Sequence, residues 1–349
     1  MRERLKAGIL GATGAVGQKF VALLAGHPWF EISSLMASDR SAGRPYREAA
    51  NWIGQTPIPE HVAGMLVEEC RPDVPCDLVF SGLDSSVAGD IESEFAAHGY
   101  AVISNARNHR MDPTVPLLVP EINAGHLGLL DTERADGRGY IVTNPNCSTV
   151  GLVCALKPLQ DAFGLEAVIV TTMQALSGAG YPGVPALDIV GNVLPYIPGE
   201  EEKIVSEPRK LLGRLVAGEL VPLDVPISAQ CNRVPVVDGH MLSISVRLRV
   251  KPSIEALRNA FSTFTSSIDD LDLPSGRSPL LEFFDDPTYP QPLRQANLGG
   301  GMTVSIGRLK PCGVLDFRFV ALVHNTIRGA AGGALLNAEL LVAKGYLPV

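Results

Sequence analysis

A glycine turn near the start of the chain restricts what it can fold into more than any other feature. Residues 7–10 form an apolar run that enters Gly11-Ala12-Thr13-Gly14-Ala15-Val16-Gly17, and Phe20, Val21, Leu23 and Leu24 follow at helical spacing. A strand that bends sharply into a helix presents the helix's unpaired N–H groups and positive dipole end at the bend. Glycines there let a pyrophosphate approach the backbone. The spacing is GxxGxxG instead of GxGxxG, so the triplet takes its weight from its context between a strand and an amphipathic helix.

Similar units follow. Residues 32–37, 77–80, 101–104 and 140–144 read as strands and 87–98 as a helix, an alternation that predicts a Rossmann-like, doubly wound parallel sheet. Beyond Pro145-Asn146-Cys147 the strands lengthen, over 167–173, 234–237, 241–250, 303–308 and 314–323, which predicts a second α+β domain with a mostly antiparallel sheet. Residues 326–345 read as an Ala/Leu/Gly-rich helix returning to the first domain, and 269–292 as a long surface loop. The 349 residues thus divide into a nucleotide-binding domain of 1–146 with 326–349 and a catalytic domain of 147–325, each large enough for its own core.

With 46% hydrophobic and 19% charged residues the chain is not disordered. Its 29 Lys and Arg against 37 Asp and Glu, net −8 with no basic run, argue against nucleic acid as a partner. No apolar run reaches the roughly 18 residues of a membrane span, and MRERLKAGILGATG contains no signal-peptide core, so the expectation is a soluble, cytoplasmic protein. The cysteines, at 70, 76, 147, 154, 231 and 312, form no CxxC pair, and the histidines, at 27, 61, 98, 109, 126, 240 and 324, have no metal-like spacing; no metal site is expected.

Chemistry concentrates in a few places. Ser38-Asp39-Arg40-Ser41 follows the second strand, where a cation between hydroxyls favours the 2′-phosphate of NADP; Asp39 argues for NAD unless its side chain turns away. In Asn144-Pro145-Asn146-Cys147-Ser148-Thr149 the proline ends a strand, and Ser148-Thr149 are placed to cap a helix running to about residue 156. That puts the Cys147 sulfur at a helix N-terminus, where thiolate is favoured. Cys154, seven residues on, reads as core. A nucleophile needs a proton shuttle. His240 lies in a turn between strands, and Arg233, seven residues earlier, could be brought beside it as a carboxylate clamp.

GATGAVGQ, SNARNHRMDPTVPLLVPEIN (Ser104 to Asn123), NPNCST, QALSGAGYPGVPALDI (Gln174 to Ile189), GEEEK (Gly199 to Lys203), CNRVPVVDGH and HNTIRGAAGG (His324 to Gly333) occur in one order over essentially the full length. On these motifs the chain resembles aspartate-semialdehyde dehydrogenases, in particular the archaeal and fungal-like branch. The resemblance implies NADPH-dependent conversion of L-aspartyl 4-phosphate to L-aspartate 4-semialdehyde in amino-acid biosynthesis, by a homodimer or homotetramer. It implies that Cys147 is the nucleophile, His240 the acid/base and Gln174 the residue that orients substrate. Arg233 would take the α-carboxylate, and Arg110, Asn146 and Lys203 the phosphate. Glu200 would bind the α-ammonium, although Glu201 and Glu202 adjoin it and the register within the run stays open. For NADP(H), the resemblance implies Gly11, Thr13, Gly14, Ala15 and Val16 at the pyrophosphate and Ser38, Arg40 and Ser41 at the 2′-phosphate. Ser81 and Gly82 would lie nearby, and Ser177, Gly178 and Asn325 would close on the nicotinamide.

Three rivals share this texture. A malonyl-CoA reductase would keep the cysteine and histidine but has no ammonium to justify the acidic residue of GEEEK, and N-acetylglutamyl-phosphate reductase has a different motif around its cysteine. A non-catalytic NADP-binding sensor would need only the glycine turn, whereas Cys147, Gln174, Arg233 and His240 are all present.

Overall fold

The structure, a computed structural model, describes residues 3–131, 138–277 and 279–347. The N-terminal half builds a parallel sheet from β1 (Leu5–Leu10), β2 (Phe30–Ala37), β3 (Val67–Glu69), β4 (Leu78–Ser81), β5 (Ala101–Ser104) and β6 (Tyr140–Thr143), in the order β3-β2-β1-β4-β5-β6. The LVFS, AVIS and YIVT of β4 to β6 are buried throughout. Such runs do not alternate because both faces of a parallel sheet are covered. From β1 the chain winds outward to β2 and β3, then returns to the other side of β1 as β4. The β1/β4 boundary is therefore the topological switch point, and both Gly11 and Ser81-Gly82 lie at its C-terminal edge. Helices α1 (Ala15–Leu24) and α2 (Ser85–Ala97) flank this sheet.

The second sheet runs β10-β7-β11-β14-β13-β12, from β7 (Leu165–Gln174), β10 (Ile227–Arg233), β11 (His240–Leu248), β12 (Leu281–Phe284), β13 (Val304–Pro311) and β14 (Phe317–Val323); a small hairpin, β8 (Arg214–Val216) and β9 (Glu219–Val221), stands apart. β7/β10 and β12/β13 pair in parallel and the other contacts are antiparallel. Strict alternation in β11 (Leu242, Ile244, Val246 inward; Ser243, Arg247 outward) marks one covered and one open face. Against the covered face pack α3 (Cys147–Phe163) and α5 (Ile254–Ser262), while α4 (Glu200–Leu211) lies against α3 and β10.

Four expectations need correction. The strand expected over 234–237 lies upstream as β10; residues 234–239 instead form the loop that carries the chain past β7 to β11. The single helix expected over 326–345 is broken: Ile327–Ala331 is a π-turn with Ala330 in non-helical geometry, followed by α6 (Gly332–Ala343). Residues 269–292 contain edge strand β12, which pairs with β13, so they are not simply a loop. The strand read over 314–323 begins at Phe317, after a turn from β13, and the short strand β3 was not foreseen. Helix α6 contributes Leu335, Leu336, Leu340 and Leu341 to the same apolar cluster as Ile9, Phe20 and Phe80. Being buried nearly all round, it lacks the one-sided pattern that marks a surface helix.

Candidate active site

Cys147 is the first residue of α3. The helix is capped by Asn146, whose Oδ1 accepts from the N–H groups of Ser148 (3.0 Å) and Thr149 (3.4 Å), and it runs on to Phe163. The expected Ser148-Thr149 cap is thus replaced by a residue one step earlier, since an N-cap side chain reaches the second and third N–H groups beyond it. Behind the nucleophile the π-turn brings Gly329 so close that a Cβ there would stand 2.7 Å from that of Cys147.

His240, the fully buried first residue of β11, places Nε2 3.1 Å from the Cys147 sulfur. Its Nδ1 accepts from the Ala175 N–H at 3.0 Å. That bond fixes the tautomer: the ring proton of neutral His240 sits on Nε2, facing the sulfur. Burial, reinforced by Arg233, pushes the imidazole down to about 3, so it is uncharged at neutral pH. Burial and the charge of Glu200 push the thiol up to about 12 against the pull of Arg110 and Arg233. The thiolate expected from the helix terminus is therefore not the resting form, because enclosure outweighs the dipole. Gly178 packs over the pair, its missing Cβ only 3.0 Å from both His240 Cε1 and Arg233 Nη1.

Of the three adjacent glutamates, only Glu200 faces this centre. It accepts from Asn146 Nδ2 (3.1 and 2.9 Å), Gln174 Nε2 (3.1 Å) and Lys203 Nζ (2.7 Å). Burial opposes its charge, but Lys203, Gln174 and Asn146 outweigh that and hold its pKa below the usual carboxylate value. Glu201 accepts instead from the Cys231 N–H, and Glu202 is exposed. Gln174 is buried on β7 and directs its amide to Glu200 and Thr172. Arg233, at the end of β10, is buried and donates to the Ala175 carbonyl at 2.7 Å. Arg110 is buried too, donating to Glu207 (2.9 Å) and the Asn105 carbonyl (2.7 Å), while its Nε has no partner among the described residues.

At the edge of the first sheet the glycine turn has the shape of a phosphate cradle. Gly11 has φ +73°, and a Cβ on it would meet the Gly82 carbonyl at 2.9 Å; one on Gly17 would strike the Gly11 carbonyl. Ala12 and Thr13 have their carbonyls held by the Tyr46 hydroxyl (2.8 Å) and Gln18 (2.9 Å). The N–H groups of Ala15 and Val16, in the first turn of α1, have no intrahelical acceptor. Ser38, Asp39 and Arg40 are exposed in the turn after β2, and Asp39 Oδ1 accepts from the Arg40 N–H, so the carboxylate is turned onto its own backbone. Ser81 is wholly buried beside Glu92, so its backbone is what it can offer a ligand. Ser177 Oγ accepts from Asn325 Nδ2 (2.8 Å), and Asn325 Oδ1 from the Gly239 N–H (2.9 Å), which ties the 176–179 turn to the end of β14. Helix α1 packs against the π-turn behind Cys147, so cradle and nucleophile share a wall.

Sequence reading passed over Ala175, Gly329, Glu207 and Lys210. A signal existed for two of them: Glu200, Lys203, Glu207 and Lys210 recur every three to four residues, one face of α4. Ala175 acts through its backbone and leaves no such trace. Among the described residues, no cluster of His, Cys, Asp or Glu could hold a metal, and no helix is long and apolar enough to cross a membrane.

Comparison with known proteins finds two family models that match the chain. Residues 6–129 match the family model for the semialdehyde dehydrogenase NAD binding domain, and 156–328 that for the semialdehyde dehydrogenase dimerisation domain. The chain is 47% identical to the aspartate-semialdehyde dehydrogenase of Cryptococcus neoformans, over 99% of both chains, and 44% identical to that of Archaeoglobus fulgidus, over 97% of this chain and 98% of the other. The crystal structure of the Candida albicans enzyme with NADP superposes with a TM-score of 0.92 at 44% identity, covering 98% of this chain and 99% of that one. The chain belongs to the aspartate-semialdehyde dehydrogenase family.

Proposed function

We propose that this enzyme catalyses the reversible, NADPH-dependent reductive dephosphorylation of L-aspartyl 4-phosphate to L-aspartate 4-semialdehyde, in biosynthesis of the aspartate family of amino acids. The observation that carries this reading is the pairing of Cys147 with His240 beside Glu200, a buried carboxylate kept ionised by Asn146, Gln174 and Lys203. A charged group withdrawn from water needs an opposite partner, and the α-ammonium of the substrate supplies a second one.

In this reading the Cys147 thiol attacks the acyl carbon, the bond from that carbon to the phosphate oxygen breaks, and the thiol proton leaves with the phosphate as hydrogen phosphate, giving a thioester. Bound NADPH supplies the hydride that reduces this thioester. His240 presents its Nε2 hydrogen to the former carbonyl oxygen, shares it as the thiohemiacetal forms and takes it back as the C–S bond breaks to release the aldehyde. Arg233 binds the α-carboxylate, and Arg110, Asn146 and Lys203 bind the phosphate. Gln174 orients the substrate beside Cys147, with its amide also holding Glu200.

Gly11, Thr13, Gly14, Ala15 and Val16 hold the pyrophosphate of NADP, with backbone from Ser81 and Gly82. Ser38, Arg40 and Ser41 take its 2′-phosphate, and Ser177, Gly178 and Asn325 close on the nicotinamide from the second domain. The cradle fits, since side chains at Gly11 or Gly17 would strike the backbone of the turn and of Gly82 that gives it its shape. Residues 1–146 with 326–349 form the nucleotide-binding domain and 147–325 the catalytic and dimerisation domain of a cytoplasmic homodimer or homotetramer.

The test follows nicotinamide absorbance with L-aspartate semialdehyde, phosphate and NADP, alongside malonyl-CoA with NADPH. Phosphate-dependent NADP reduction is the expected result. NADPH oxidation with malonyl-CoA alone would overturn the substrate while leaving Cys147 and His240 in place.

A further inference from the structure

Glu207 is almost wholly buried and spends its two oxygens on different parts of the molecule. Oε1 accepts from Arg110 Nη1 at 2.9 Å, and Arg110 stands on the loop after β5 of the first sheet. Oε2 accepts from the backbone N–H of Asn146 at 2.7 Å, the residue that precedes Cys147 and caps its helix. One turn further along α4, Lys210 Nζ donates to the carbonyls of Arg110 (2.8 Å), Asp112 (2.7 Å) and Val115 (2.8 Å), clamping the loop that carries Arg110.

A guanidinium has five N–H donors in a rigid fork, so fixing two of its edges fixes the third. Glu207 takes Nη1 and the Asn105 carbonyl takes Nη2, which leaves Nε as a buried donor without a partner among the described residues. A buried donor left open in this way is a place for a ligand oxygen. The same carboxylate that sets Arg110 also sets the peptide in front of the nucleophile, so the anion-binding donor and the attacking sulfur are held in register across the two lobes.

We propose that Glu207 is a positioning residue that aims Arg110 at the departing or attacking phosphate and aligns the Asn146–Cys147 peptide with it. This rests on the phosphate role of Arg110 proposed above. The proposal predicts the opposite of simple electrostatics. Removing the carboxylate leaves the site more positive, and charge alone would tighten phosphate binding. Loss of aim weakens it.

The experiment compares wild type, Glu207→Gln and Glu207→Asp by two readouts. In the oxidative direction, Glu207→Gln is expected to raise KM for phosphate about ten-fold while KM for aspartate semialdehyde stays within about two-fold, with Glu207→Asp between the two enzymes. In the absence of turnover, inorganic phosphate should protect Cys147 from iodoacetamide, and the half-protecting concentration should rise by the same factor in Glu207→Gln. A phosphate KM or protecting concentration that falls or does not change overturns the proposal, as does a parallel rise in both KM values. If Glu207→Gln does not fold, Glu207→Asp decides on the same criteria. Absence of phosphate-dependent turnover in wild type would defeat the functional reading instead, and the protection series would still judge Glu207.

Discussion

Cys147 shows how far one residue's chemistry departs from its sequence setting. Position at a helix start argues for a thiolate, yet enclosure and the neighbouring Glu200 push the thiol up to about 12. Because Glu200 is anionic and raises the pKa of the thiol, its loss must lower that pKa. Glu200→Gln is therefore expected to make Cys147 alkylate faster at pH 8, by roughly three- to ten-fold, since each pKa unit changes the thiolate fraction about ten-fold well below the pKa. Turnover falls in the same variant. Site-resolved mass spectrometry with iodoacetamide reads this, and slower alkylation of Cys147 would refute the electrostatic account. Cys147, His240 and Arg233 were legible as candidates because they carry chemistry in their side chains, whereas Glu200 stood out only through the family resemblance, with its register against Glu201 and Glu202 open. Ala175 was not legible, since any residue but proline offers the same N–H to His240. Glu207 was passed over because its place on the inward face of α4 shows only as a spacing shared with Glu200, Lys203 and Lys210.

At the scale of elements, the least legible part of the fold is the π-turn. The Ala/Leu/Gly-rich segment after Thr326 has the composition of one continuous helix, and only tertiary contact breaks it at Ala330 to seat Gly329 against Cys147. The turn is pinned by Arg328, wholly buried, whose Nη1 and Nη2 donate to the two oxygens of Glu121 at 2.7 Å each. Breaking such a pair from one side leaves a buried charge uncompensated, which costs about 3–5 kcal/mol, whereas neutralising both sides costs much less. Arg328→Met is thus expected to lower unfolding stability by about 3 kcal/mol or more, and Arg328→Met with Glu121→Gln to recover part of that loss, as read by urea denaturation. Additive losses in the double variant would show that the pair is not the pin. The strands, by contrast, were readable because burial on one or both faces writes itself into their apolar pattern. Edge strands β3, β10 and β12 escaped because a run with a single neighbour carries little of that pattern.

For the whole molecule, the open face of the second sheet is the feature that a single chain leaves unused. Ile169, Met173, Met241 and Val320 lie on it among Thr171 and Ser243, and Ile169 is 43% exposed. The neighbouring stretch exposes Leu187, Val190 and Tyr196. Antiparallel sheets commonly show one face to water, but that face is then polar, and an apolar centre rimmed by polar residues marks an association surface. These residues fall within the part of the chain that matches the dimerisation model. In an isologous pair each substitution appears twice, close to its own symmetry mate near the axis. Ile169→Asp would bury two carboxylates in one apolar contact, where each costs several kcal/mol unless it stays in water. Sedimentation equilibrium is expected to give twice the monomer mass or more for wild type and the monomer mass for Ile169→Asp at micromolar concentration. Circular dichroism should not change, because the side chain faces away from the core. A variant that keeps the wild-type mass would refute this face as the interface and turn the same test to the exposed segment that holds Leu187 and Val190.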